Sequence, residues 1–183
     1  AGGGLSSDLG PLLLKGVDRQ IGLTERVCAA IDDTRHPGYI THSLHDILKQ
    51  RIYQIASGYE DGNDCNSLRH DPMFRLGVGC KPFDTDEADG ALASGSTISR
   101  FEHAVDSKDI YRLSEALVDQ FIAGYATPPE ALVLDIDHSE DAAYGQQPLA
   151  FYNHYYQSTC YLPLMVFEGL SGALVAAVLR PGK

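Results

Sequence analysis

This 183-residue chain has no apolar run long enough to cross a bilayer. Its longest uninterrupted stretches, Ala131–Leu134 and Ala173–Leu179, fall far short. Paired cysteines are also missing. Cys28, Cys65, Cys80 and Cys160 are scattered with no Cys-x-x-Cys, and no cysteine pair stands near His42 and His45 to complete a zinc site. Reduced thiols in a cytoplasmic protein are the expectation. Ala1-Gly2-Gly3-Gly4 lacks the basic lead and apolar core of a secretory signal. A surplus of basic residues is lacking too: the net charge is −11, and residues 1–127 carry 12 basic against 19 acidic side chains. Composition alone therefore argues against a nucleic-acid partner, and any such case must rest on local features. Gly-rich phosphate loops and a Gly-x-Ser-x-Gly elbow are absent. A calcium loop starting at Asp135 fails, because Glu140 replaces the required Gly and Gln146 the required Glu.

What is present is an ordinary folded composition, 44% hydrophobic and 21% charged, sufficient for one large domain or two small ones. Residues 5 to about 75 read as helices. Gly10-Pro11 opens the first, Gly22 breaks it, and Thr24 is placed to cap the second. Leu44, Ile47, Leu48, Ile52, Ile55 and Ala56 then form an amphipathic stripe, with Thr41 or Ser43 as cap and Gly58 as stop. Residues 77–95, rich in Gly, Asp and Ser, are expected to form a long flexible loop. Ser96 is a candidate cap for a short helix, and a longer one runs from about Lys108 to Tyr125. Pro128-Pro129 is expected to end that helix and mark the boundary between domains spanning 5–127 and 128–183. Beyond it the period becomes that of strands: 131–137, 161–168 and 173–180, the last two joined as a hairpin over Gly169–Gly172. The fold class expected is α+β.

Two groups of residues can carry chemistry. Asp135 and Asp137 share one face of their strand with Val133, while Leu132, Leu134 and Ile136 take the other. Two carboxylates at the end of an apolar strand repel each other, and a divalent cation relieves that repulsion. The alternative is that the strand has ended and both acids are solvated. The second group is Thr97, Ser99, Arg100 and His103, small, polar or cationic groups near a helix start that suit presentation to DNA. An exposed polar face of a bundle helix is the alternative. Arg69 and Arg75 add to the basic neighbourhood. Tyr152, Tyr155, Tyr156 and Tyr161 read as packing and strand-edge residues rather than a stacking platform.

A series of short blocks carries a resemblance. In order they are Gly10-Pro11-Leu12-Leu13-Leu14, Asp18-Arg19 with Gly22-Leu23-Thr24, His42-Ser43-Leu44, Gln50-Arg51-Ile52, Gly58-Tyr59-Glu60-Asp61 and Leu68-Arg69-His70-Asp71-Pro72. Thr97-Ile98-Ser99-Arg100-Phe101-Glu102, Leu134-Asp135-Ile136-Asp137, Tyr144-Gly145-Gln146-Gln147 and Tyr161-Leu162-Pro163-Leu164 follow. Each is weak alone. Together, and in this order, the chain resembles the DDE transposases of bacterial insertion sequences, specifically the thirteen-eighty family. It departs from that pattern at Gly95-Ser96 and His103.

The resemblance implies a helical N-terminal DNA-binding region, then the first three strands of a ribonuclease-H-like core. It implies that Asp137, with Asp135 as reserve, is the first of three catalytic carboxylates holding two Mg²⁺ ions for strand cleavage and strand transfer. Thr97, Ser99, Arg100, His103, Arg69 and Arg75 become the candidate contacts to double-stranded terminal-repeat DNA, and a homodimer is expected. On this reading the sequence ends before the later Asp and Glu, so this stretch alone is expected to be inactive and to hold Mg²⁺ only weakly. Two other classes compete: a non-catalytic DNA-binding protein that inhibits transposition, and an α+β interaction module whose paired acids are surface groups.

Overall fold

The Gly10-Pro11 pair opens a helix, α1 (Gly10–Ile21), as its sequence predicts, because proline tolerates the first turn where its missing N–H is not needed. The structure is a computed structural model and describes residue 6, residues 8–80 and residues 91–183. Among these, seven α-helices precede six strands, giving an α+β architecture. Two compact units divide the chain, with the change between Ile110 and Tyr111. No described helix is long and apolar enough to cross a membrane.

Within the first unit, Gly22 ends α1 in the left-handed region (φ 68°), which favours glycine. The next helix, α2 (Leu23–Ala29), is not capped by Thr24. Gly22 occupies the N-cap position, and Thr24 lies buried inside the first turn. Asp18 serves instead: its carboxylate accepts the Thr24 N–H at 2.8 Å and the Thr24 hydroxyl at 2.6 Å. Tyr53 also donates to Asp18, at 3.2 Å. Burial, and then the Asp18 charge, push the Tyr53 hydroxyl well above its ordinary pKa.

Ser43, not Thr41, caps α3 (Leu44–Ala56); its oxygen accepts the Asp46 N–H at 3.0 Å. This helix buries Ile47, Leu48, Gln50, Tyr53 and Gln54. Ile47 joins Cys65, Ala93 and Ile98 in one core cluster; Tyr53 joins Phe74, Val78 and Leu92 in another. Two short helices, α4 (Asp64–Leu68) and α5 (Pro72–Val78), close these clusters, the second capped by Asp71.

The expected loop over 77–95 is shortened from both ends. The α5 helix runs through Val78, and residues 81–90 lie outside the described residues. Leu92 and Ala93 are buried in the core. Gln50 clamps Ala93, donating to its carbonyl and accepting its N–H, each at 2.9 Å. The Leu92 N–H bonds the Arg69 carbonyl at 2.9 Å. This anchored strip delivers α6 (Gly95–Ala104), whose N-cap position is Ser94 rather than Ser96. Asp106 precedes α7 (Ser107–Ala123) and accepts the N–H groups of Lys108 and Asp109. That helix ends at Gly124, ahead of Pro128. Its last turn tightens through bonds from Gly124 to Phe121 and from Tyr125 to Ile122.

The second unit holds β1 (Leu134–His138), β2 (Asp141–Ala142), β3 (Phe151–Asn153), β4 (Ser158–Tyr161), β5 (Leu164–Glu168) and β6 (Leu174–Val178). One antiparallel sheet has the order β1-β5-β6, matching the strand and hairpin expected from sequence. A second, β2-β4-β3, was not anticipated. The strand expected over 161–168 is in fact two, parted at Leu162-Pro163. Proline cannot donate to a ladder, and the chain changes sheet there. Strands of two to four residues are too short to show a period of two.

Residues 180–182 fold back onto the second sheet. Arg180 accepts from Leu162 N–H at 3.0 Å, and Asn153 donates to the Gly182 carbonyl at 3.2 Å. A Cβ at Gly182 would stand 2.1 Å from the Cys160 carbonyl oxygen and 2.8 Å from that of Phe151. Gly182→Ala therefore forces the backbone apart and is expected to destabilise this unit by about 1–3 kcal/mol. Urea unfolding of the variant beside the parent checks this; an unchanged midpoint means that the final residues lift away at no cost.

Candidate functional site

The two groups singled out from the sequence fall in different units. In the second, β1 carries Asp135 opposite Phe167 and Asp137 opposite Met165. The alternation of the strand puts both acids on one face, away from Leu134 and Ile136. Asp135 lies on the same side as Val133, since a Cβ at Gly169 would meet both Asp135 Oδ2, at 3.0 Å, and Val133 Cγ1, at 3.3 Å. Every residue of β1 is exposed.

Asp137 lies at the open end of the pair, its side chain 92% exposed. One carboxylate oxygen, Oδ1, accepts the His138 N–H at 2.7 Å. The His138 ring nitrogen Nδ1 stands 3.9 Å from the same oxygen. Asp135 is set closer to the β5–β6 turn. The pair offers hard oxygen donors on one accessible face, which suits Mg²⁺ in donor type. Among the described residues no group of three His, Cys, Asp or Glu is placed to hold an ion.

In the first unit, α6 turns Ile98 fully inward and packs Phe101 on the core. Ser96, Ser99, Arg100 and His103 are all exposed, and their spacing of three and four residues places them on one helical face. Thr97 is half-buried; its hydroxyl accepts from Arg100 Nη2 at 3.3 Å and meets the Ser94 hydroxyl at 3.2 Å. His103 Nδ1 lies 2.7 Å from the Ser99 carbonyl, so that nitrogen carries a proton and Nε2 is left for other partners. Arg51 donates to Glu102 at 2.6 Å, fixing the side of α6 next to this face.

Thr97 and Arg100 also line a cleft of about 370 Å³. Its apolar floor includes Ile31, Leu44 and Phe101, and its rim includes Arg35 and His42. Arg35 is committed: it grips Asp33 through two bonds of 2.7 and 2.6 Å and donates to the His42 carbonyl at 3.1 Å. That grip holds the Asp33 carboxyl below its ordinary range. Burial, then the charge of Arg69, depress the His42 pKa.

Arg69 is half-buried, its carbonyl bonded to Leu92, and its charge acts on His42 of the cleft. Arg75 is buried, 7% exposed, inside the helical unit. The structure thus gathers Ser99, Arg100 and His103 on one surface with Thr97 at its edge, leaves Arg69 half-buried near His42 and takes Arg75 off that surface. The contribution of Arg35 was not legible, because nothing in the sequence marks its hold on Asp33 and the His42 carbonyl. Gln50 was equally hidden, since a glutamine in an apolar stripe gives no sign of the backbone it will clamp.

Comparison with protein families matches residues 1–183 to the family described as Transposase DDE domain group 1. No curated protein sequence and no solved structure gives a significant match.

Proposed function

The chain belongs to the transposase DDE-domain family, and on that premise we propose that it serves the transposition of an insertion sequence of the thirteen-eighty family. In this reading α6 binds double-stranded terminal-repeat DNA, and Asp137, with Asp135 beside it, holds divalent metal at the reacting phosphodiester. The observation that carries the reading is the placement of both carboxylates on one accessible face of β1, in a chain matched to the family along its whole length. The antiparallel order β1-β5-β6 supports a ribonuclease-H-like core.

The division of labour follows from the residues. Asp137 presents a carboxylate whose Oδ1 is already oriented by the His138 N–H, leaving Oδ2 for a cation. Asp135 adds a second hard donor from the same face. Mg²⁺ bound there supplies activation of the attacking oxygen and stabilisation of the leaving one. Arg100 meets the phosphate backbone with a delocalised charge, while Ser99 and His103 offer hydrogen-bonding groups from the same helical face. Concentrating the contact in few cations suits a chain whose net charge is −11.

Arg100→Ala tests the DNA-binding half. It is expected to weaken duplex binding about tenfold at low salt and to reduce the slope of log K against log salt by about 1, the signature of one lost phosphate contact. Fluorescence anisotropy across a salt series reads both quantities. An affinity and slope identical to the parent's would remove α6 from the interface.

A further inference from the structure

The β3–β4 hairpin carries an aromatic cluster that the core does not use. Tyr155 is 84% exposed and Tyr152 54%, so neither is core packing, although Tyr152 does stand on an edge strand, β3, as expected. Solvent-facing rings of this size, grouped on one tip, are informative in a way that a lone exposed apolar residue is not. The tip is also held in shape. Asn153 Oδ1 accepts the N–H groups of Tyr155, at 2.9 Å, and Tyr156, at 3.3 Å. Gln157 turns the chain into β4 with φ 55°, in the left-handed region. Asn153 is itself tied to the Gly182 carbonyl.

The rings lead back to the acid pair. Tyr155 meets Tyr156 edge-on, with centroids 4.9 Å apart and planes at 89°. Tyr156 meets His138 in the same manner at 6.5 Å, and His138 adjoins Asp137 in sequence and contact. A continuous line of aromatic groups therefore runs from the end of β1 to the hairpin tip, all within one unit.

We propose that this tip is a stacking platform for an unpaired nucleotide of the DNA strand being processed, with the Tyr155 ring as its outer surface. The inference rests on the reading of Asp137 as part of a DNA-cutting site and names what lies beside it. Tyr155 is 84% exposed despite its T-shaped contact with Tyr156, so its ring presents open surface to solvent, and a base has a flat face to match. Beside Tyr156 the acids Asp137 and Glu140 oppose a close approach of phosphates, so contact through bases is favoured over contact through the backbone. A rigid ring loses little conformational entropy on stacking.

The test uses fluorescence anisotropy with labelled oligo(dT) of about 10 nucleotides, inside the range of single-strand site sizes. A paired duplex serves as reference. Tyr155→Ala is expected to weaken single-strand binding about tenfold, the scale of one lost base stack. Tyr155→Phe keeps the ring and should stay within about twofold of the parent, as should duplex binding by both variants. Unchanged single-strand binding in Tyr155→Ala, with duplex binding intact, would overturn the platform and leave the DNA-binding reading standing. So would a Phe variant as weak as the Ala variant, because the hydroxyl and not the ring face would then be the contact. If the parent binds neither form of DNA, the underlying reading falls and the platform with it. Altered self-association of Tyr155→Ala, with DNA binding unchanged, would instead make the tip a contact between copies.

Discussion

Asp137→Asn in the whole natural protein is expected to lower metal-dependent strand cleavage about a thousandfold, the scale set by losing one strong electrostatic stabiliser of a transition state. DNA affinity should stay close to the parent's. The substitution keeps the shape of the side chain and the acceptor for the His138 N–H, but removes the negative charge that a divalent ion needs. Asp137 is preferred over Asp135 on position. It stands at the exposed end of β1, whereas Asp135 lies beside Gly169 at the turn that closes the adjoining hairpin. Asp135→Asn is expected to cost less, because it removes the flanking donor. Single-turnover cleavage of end DNA by the two variants checks the order. Full activity in Asp137→Asn with loss in Asp135→Asn would exchange their roles, and full activity in both would remove the acid pair from the chemistry.

Gln50→Ala should be the most damaging single change in the helical unit outside its apolar core. Gln50 is 1% exposed and Ala93 1% exposed, and the side chain satisfies both backbone polar groups of Ala93. Truncation leaves a buried N–H and a buried carbonyl without their partner. Each such orphan costs about 1–3 kcal/mol, so a loss of about 3 kcal/mol or more is expected. The consequence reaches the surface proposed to meet DNA, because the Leu92–Ala93 strip leads directly into α6. Urea unfolding measures the loss, and the same variant should bind duplex DNA more weakly through a less ordered α6. A loss under about 1 kcal/mol would mean that water replaces the glutamine and that the strip is not buried in solution.

Much of this was legible in the sequence, and the parts that were not have identifiable physical causes. Local chemistry announced α1, with proline at its start and glycine at its end, and α3, with Ser43 before an apolar stripe. The β1 strand and the β5–β6 hairpin followed from apolar runs around a glycine turn. Sequence failed first where a side chain of another helix set the local structure. Asp18 displaced Thr24 as the group satisfying α2, and Gln50 drew Leu92 and Ala93 out of a stretch whose composition suggests a loop. The second sheet escaped because its strands are too short to be periodic and pair across a chain crossing at Pro163. At the site, the facing of Asp135 and Asp137 was legible from strand alternation alone. The burial of Arg75 was not, since a basic residue in a short helix carries no mark of which side it faces.

The most direct measurement is to incubate the whole natural protein with DNA spanning the ends of the element that encodes it, with and without Mg²⁺, and to map any broken phosphodiester. The expected result is a cut at the boundary of the element that appears only with divalent metal and leaves a 3′-hydroxyl able to join a second DNA. DNA that is bound but left intact under every metal condition would contradict it, and would make this a protein that occupies the ends without cutting them.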